Sequence, residues 1–205
     1  MKTSIYLIIT AFLAIQLTVK AQTAFPWFEP LDLEQLAETN TSSDCELKSS
    51  GYNDKTGFNE VIFKAKPLFV YTHPQVKKYM KHQYLMETKA YTEKINDNYF
   101  VILNYKINSD RAKTNYGNLE KDGKIKVVLI NGDNIYLQNI ARDRGKVRKS
   151  KKNTSYTGTY ALDKEDIKAL KKTAISTITV LWEEGVEEYE IQNIDLIMNQ
   201  LNCLD

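Results

Sequence analysis

The sequence predicts a mainly β protein, an antiparallel β-sandwich or partly open barrel with two short helices near the C-terminus. Three observations carry that expectation. Apolar residues recur at every second position through 81–93, 99–107, 124–140 and 175–182, the period of a strand with one buried face. Short turn signals separate these runs: Asn96-Asp97-Asn98, Asn131-Gly132 and Glu184-Gly185. Only near the end does the apolar spacing become helical.

The chain opens with Lys2, an apolar run over 5–15, and Val19-Lys20-Ala21, the positive, apolar and small-residue regions of a secretory leader. The run is shorter than the ~20 apolar residues of a membrane span, and Gln16 interrupts its end, so no transmembrane span is expected after cleavage. The expected organisation is a signal peptide over 1–21, an N-terminal arm over 22–44 and a single β-rich domain over 45–205. Losing Lys2 and Lys20 with the leader leaves 26 basic against 26 acidic residues. The mature chain is therefore electrically neutral, and export places it in the periplasm or outside the cell.

The arm begins with aromatics at Phe25, Trp27 and Phe28, followed by Leu31, Leu33 and Leu36 among acids. Such aromatics tie a loose arm to its own domain more often than to a partner. From Cys45 the pattern turns to strands. The run over 60–71 is interrupted by Pro67, which predicts two edge pieces or a bulge. Residues 81–93 and 99–107 predict a long hairpin, with Val101, Leu103, Tyr105 and Ile107 on one face. The polar run 109–123 predicts a surface loop.

In the next hairpin two signals conflict. Asn131-Gly132 favours a two-residue turn, but that register would set Leu129 against Asn134. A three-residue loop, Asn131 to Asp133, instead pairs Leu129 with Ile135 and Val127 with Leu137, and burial decides for it. Asp163 and Asp166 open a helix through Lys172. The strand over 175–182 then turns at Glu184-Gly185, which sets Val180 opposite Tyr189. Asn193 caps a last helix whose stripe is Ile194, Ile197, Met198 and Leu201.

Two cysteines remain after the leader, and export permits a Cys45–Cys203 disulfide. Cys203 lies opposite the apolar stripe, so the bond requires the Cys45 segment to pass outside the last helix or the helix to end before it.

The strongest chemical feature is 142–152, with seven basic residues and one acid. In an extended chain Arg142, Arg144, Lys146 and Arg148 share a face, with Lys149 beside them. Such a strip fits an anionic polymer, a lipid headgroup or an acidic envelope partner. The competing explanation is a charged edge that keeps a hairpin soluble. Nucleic acid is disfavoured by export, by neutrality and by the lack of interleaved aromatics.

Other chemistries find little support. His73 and His82 lack any metal-ligand spacing, so no metal and no cofactor are expected. No nucleophile motif or phosphate loop occurs. Glu183-Glu184 and Glu187-Glu188 flank a turn, and Glu187 alone shares the parity of Tyr189 and Ile191 as a partly buried acid. Tyr84, Tyr91, Tyr99, Tyr105, Tyr136, Tyr156 and Tyr160 lie in predicted strands. An exposed row of them would stack on sugars, while half-buried strand faces explain them more simply.

The ending Tyr160-x-Leu162, Asp166-Ile167-x-x-Leu170, Ile175-x-x-Ile178 and Leu201-x-Cys203-Leu204, with a leader closing in Ala21-Gln22, resembles exported β-rich bacterial proteins of unknown function. The resemblance covers the last fifty residues and the leader. It implies an envelope or secreted location and brings no catalytic residues. The expected function is a non-catalytic binding or interaction module of the cell envelope. The alternatives are a secreted hydrolase using acids in a cleft, and a small-ligand carrier with a barrel cavity.

Overall fold

The computed structural model describes residues 44–80 and 83–204. The leader, the aromatic arm and His82 lie outside the described residues. Eleven strands form one antiparallel sheet. They are β1 (Leu47–Asn53), β2 (Phe58–Phe63), β3 (Lys66–Tyr71), β4 (Met86–Ile95), β5 (Asn98–Ile107) and β6 (Lys124–Leu129). The chain continues through β7 (Asn134–Asn139), β8 (Lys146–Arg148), β9 (Asn153–Leu162), β10 (Ile175–Trp182) and β11 (Gly185–Glu190). Among the described residues, three α-helices accompany them: α1 (Ala112–Tyr116), α2 (Lys164–Leu170) and α3 (Leu196–Asn202). None is long and apolar enough to cross a membrane.

The strand order is β1-β2-β4-β5-β9-β7-β6-β10-β11, with β3 also on β4 and β8 also on β9. The sheet curls without closing. Its last strand returns to β3, where the Tyr189 ring stacks on Phe69 at 4.8 Å and meets Tyr71 edge-on at 5.0 Å. The seam is finished by polar groups. The Gln192 side chain accepts the Val70 N–H at 3.0 Å and donates to the Val70 carbonyl at 3.2 Å, as a neighbouring strand would.

Inside the curl, alternate residues of each strand meet in one apolar cluster that includes Leu103, Ile107, Val127, Ile178, Val180 and Leu201. Trp182 anchors it. The rings of Tyr105, Tyr116 and Tyr156 contact it edge-on at 5.2, 5.0 and 5.3 Å, the geometry that aromatic quadrupoles favour.

Both short hairpins keep the expected faces but shift by two residues. Val180 pairs with Glu187 and Ile178 with Tyr189, leaving Glu183-Glu184 in the turn. Gly185 is thus a strand residue. The Glu183 carboxylate explains the shift, because it accepts the Asn118 N–H at 2.9 Å and so holds the turn in place. In the β6–β7 hairpin Val127 pairs with Ile135 and Ile125 with Leu137. Its loop has three residues, as expected, but they are Ile130 to Gly132, closed by Gly132 N–H to Leu129 O at 2.9 Å. Gly132 takes φ +91 there, a conformation that costs other residues strain.

Two other segments differ from expectation. Residues 109–123 are not a free surface loop, because Ala112, Tyr116 and Leu119 are buried and α1 packs Tyr116 against Trp182. In the 60–71 run the bulge expected at Pro67 is present, between Pro67 and Phe69, but the two strands part earlier, at Lys64 and Ala65.

α2 begins with a full capping box between Asp163 and Asp166. α3 starts after Asp195, later than an Asn193 cap would place it, and buries Leu196, Ile197, Gln200 and Leu201. Ile194 and Met198 are only half-buried. Cys203 follows the end of α3 and forms a disulfide with Cys45 across a Cα–Cα distance of 6.0 Å. Asn199 steadies the same junction by donating to Asp44 Oδ2 at 2.9 Å.

Candidate anion-binding site

Over 87–89 on β4, 104–106 on β5 and 153–157 on β9, the residues that alternate with the core point away from it, and their pattern is polar. Register places Lys89 opposite Asn104 and Glu87 opposite Lys106 on β4–β5. It then places Asn104 opposite Thr157 and Lys106 opposite Ser155 on β5–β9. Across the other edge of β9, Lys146 faces Ser155 and Arg148 faces Asn153. Beyond Arg148, a 3-10 turn over Lys149–Lys151 carries Lys151 back over the start of β9. The result is a cleft of about 430 Å³ lined by Lys89, Lys106, Arg148 and Lys151 among polar side chains.

Glu87 is the one acid among the lining residues. It accepts Asn108 Nδ2 and Lys106 Nζ, each at 3.0 Å. Those contacts, the Asn108 amide first, hold its carboxyl below the usual carboxylate range. Thr157 Oγ1 reaches Asn104 Oδ1 at 3.1 Å across the cleft floor.

The basic stretch is not one continuous strip. Asp143 breaks it: its carboxylate accepts the Gly145 N–H at 2.7 Å and the Thr157 N–H at 2.8 Å. Gly145 sits at φ +73, where a Cβ would meet the Tyr156 ring at 2.5 Å. Arg142 is turned away to Glu120, at 2.9 Å. Arg144, Lys146 and Lys149 are exposed beside the cleft without lining it. Of the five basic residues proposed from sequence as the anion site, Arg142, Arg144, Lys146, Arg148 and Lys149, Arg148 alone lines the cleft. Among the described residues, none of Arg144, Lys146, Arg148, Lys149 or Lys151 forms an ion pair.

Lys152 ends the 3-10 turn at φ 49, ψ 42, in the left-handed region. The other two non-glycine residues with positive φ among those described are Asn96 and Asp122, types that tolerate it. A lysine there is strained, and strain beside a cleft is worth noting.

Sequence reasoning missed Lys89 and Lys106. Their outward parity was available from the alternation of β4 and β5. Their meeting with Arg148 was not, because it needs β9 to lie between β5 and β8.

A second polar cluster lies where β11 meets β3. Buried Trp182 donates Nε1–H to Tyr189 Oη at 3.1 Å, and Tyr189 donates to Glu187 Oε2 at 2.7 Å. Burial first, and the Glu187 charge second, push the Tyr116 and Tyr71 phenols up, while burial and a hydrogen bond to Glu187 do so for Tyr189. These phenols therefore stay neutral at pH 7. The acid pairs at the turn diverge: Glu183 is held by Asn118, and Glu188 accepts Thr179 Oγ1 at 3.2 Å.

The tyrosines form no exposed row. Tyr105, Tyr156 and Tyr160 are buried, whereas Tyr84 and Tyr136 are exposed. His73 accepts the Gln75 N–H at 3.3 Å within its own turn. No group of metal-binding side chains occurs among the described residues. Compared with known protein families, curated proteins and solved structures, the chain matches none.

Proposed function

We propose that this protein is an exported, non-catalytic binding module of the cell envelope that holds an anionic partner in the cleft between β4–β5–β9 and β8. One observation carries the reading: cations from four separate elements, Lys89, Lys106, Arg148 and Lys151, converge on one cleft with a single acid. Convergence from distant positions distinguishes this arrangement from a basic run that only solvates an edge. Both guanidinium and ammonium groups serve, the first for bidentate oxyanion contacts and the second as mobile point charges.

Retention of the purified protein on a sulfate-bearing matrix at low salt tests the reading. Arg148→Glu with Lys151→Glu should abolish retention, whereas Arg142→Glu, already paired to Glu120, should leave most of it. Elution should move to lower salt as each cleft cation is removed. Unchanged retention of a folded Arg148→Glu/Lys151→Glu variant overturns the proposal.

A further inference from the structure

Resting on the cleft as an anion site, we infer that its ligand is a linear polyanion with repeated phosphate or sulfate groups, laid obliquely across the strands, rather than one compact anion. The sheet register supplies the geometry. Lys89 stands in the row of Asn104 and Thr157; Lys106 stands one row further, with Ser155 and Lys146; Arg148 stands one row further again, with Asn153. Each step along the rows also moves across the sheet, from β4 to β5 and then over β9 to β8.

With strands about 4.8 Å apart and same-face rows about 6.8 Å apart, Lys89 and Lys106 are separated by about 8 Å at Cα, and Lys106 and Arg148 by about 12 Å. Lys89 and Arg148, three strands and two rows apart, are about 20 Å from each other at Cα, too far for both to hold one phosphate or sulfate. A chain with charges at intervals engages them in turn. The track continues past Arg148 to Lys149 and Lys151, both exposed.

The lining chemistry points to a polar chain. Asn104, Asn153, Ser155 and Thr157 supply amides and hydroxyls. The two aromatic residues of the lining, Tyr105 and Tyr156, are 1% exposed and belong to the core, so their rings offer no stacking platform to a ligand. Glu87 stands opposite Lys106 in the same row and pairs with its Nζ at 3.0 Å, so a ligand whose charges are spaced around that pair is favoured over one that concentrates charge on it.

Calorimetric titration of the purified protein with orthophosphate, tripolyphosphate, long-chain polyphosphate, dextran sulfate and phosphatidylglycerol vesicles tests this inference. Affinity per bound chain should rise at least tenfold from tripolyphosphate to a long polymer. Lys89→Glu and Arg148→Glu should each weaken the long polymer several-fold, because both lie on its path. Binding of polyphosphate alone assigns a phosphate polymer and binding of dextran sulfate assigns a sulfated glycan; either supports the inference. Equal affinity for tripolyphosphate and long chains overturns it, as does binding only to phosphatidylglycerol vesicles. Loss of long-chain binding in Arg148→Glu with none in Lys89→Glu also overturns it, since that marks a compact site. Those three outcomes leave the anion site standing. That site falls only if Arg148→Glu/Lys151→Glu binds every probe as the parent does.

Discussion

Gln200 replaces a missing rung of the sheet at Thr92. Strand β4 pairs with β3 up to Ala90 and with β2 from Glu93 onward, so the bend at Lys64 and Ala65 leaves the edge of β4 open between them. The fully buried Gln200 side chain fills the opening, with Oε1 accepting the Thr92 N–H at 2.7 Å and Nε2 donating to the Lys64 carbonyl at 3.4 Å. α3 is thereby tied to the sheet at its weakest edge as well as by its apolar stripe.

Gln200→Leu keeps the volume and removes the polar atoms, leaving a buried N–H without a partner. The expected cost is about 2 kcal/mol, within the range for an unsatisfied buried donor. A urea denaturation midpoint measures it, and the Thr92 amide should exchange faster with solvent. A midpoint within error of the parent would show that water replaces the carboxamide.

The Cys45–Cys203 bond closes a loop with a sequence separation of 158. In the chain-entropy model such a loop stabilises the fold by about 5 kcal/mol. Cys45→Ser/Cys203→Ser should therefore lower the thermal midpoint strongly, and a reductant should lower that of the parent but not of the variant. Identical midpoints for parent and variant would mean that the Asp44–Asn199 contact and core packing already fix the C-terminal helix.

The parity of each strand was legible because burial of Ile125, Val127, Ile178 and Val180 demands it. The offset of each hairpin was not, because shifting by two residues conserves every face; Gly132 and the Asn118–Glu183 contact set it instead. The burial of Gln200 beside Ile197 and Leu201 was not legible either. A polar residue inside an apolar stripe signals exposure, unless its partner lies 108 positions away at Thr92. The charge of the cleft was legible at 142–152. Its other half, Lys89 and Lys106, was a matter of strand order, which local pattern does not encode.

Burial raises the phenols of Tyr156 and Tyr160 to about 12 from an ordinary value of 10. A group with a raised folded pKa contributes stability that is complete below its unfolded value and lost as pH rises through the folded one. Stability should therefore be level below pH 10 and fall between pH 10 and 12, by roughly 3 kcal/mol for Tyr160 alone. Absorbance at the phenolate band should show buried tyrosines titrating together with loss of fold. Smooth titration of all tyrosines near pH 10 in the folded protein would refute this. Tyr160→Phe, which removes a buried hydroxyl that faces only the equally buried Tyr105 hydroxyl, should be near neutral at pH 7 and flatten the alkaline limb.

Glu187 terminates the chain of hydrogen bonds from Trp182 through Tyr189. Glu187→Gln exchanges a charged acceptor for a neutral one, and a charge-assisted bond contributes about 1.5–3 kcal/mol against about 1 for a neutral bond. A loss of about 1 kcal/mol is expected, together with a change in Trp182 fluorescence. The matrix retention proposed for the basic cleft should be unaffected, since the two clusters share no residue.

Lys152 allows backbone strain to be tested separately from the proposed binding. Its left-handed backbone, φ 49 and ψ 42, is what returns the chain into β9 after the turn that carries Lys151. Lys152→Gly and Lys152→Ala both delete one charge, but only glycine relieves the strain. Glycine should therefore be more stable than alanine by about 1 kcal/mol in denaturant, a difference that does not depend on salt. If the strained turn holds Lys151 in place, glycine should also bind long-chain polyphosphate more weakly than alanine despite being the more stable variant. Equal binding by the two would separate the strain from the site and leave Lys151 positioned by strand β9 alone.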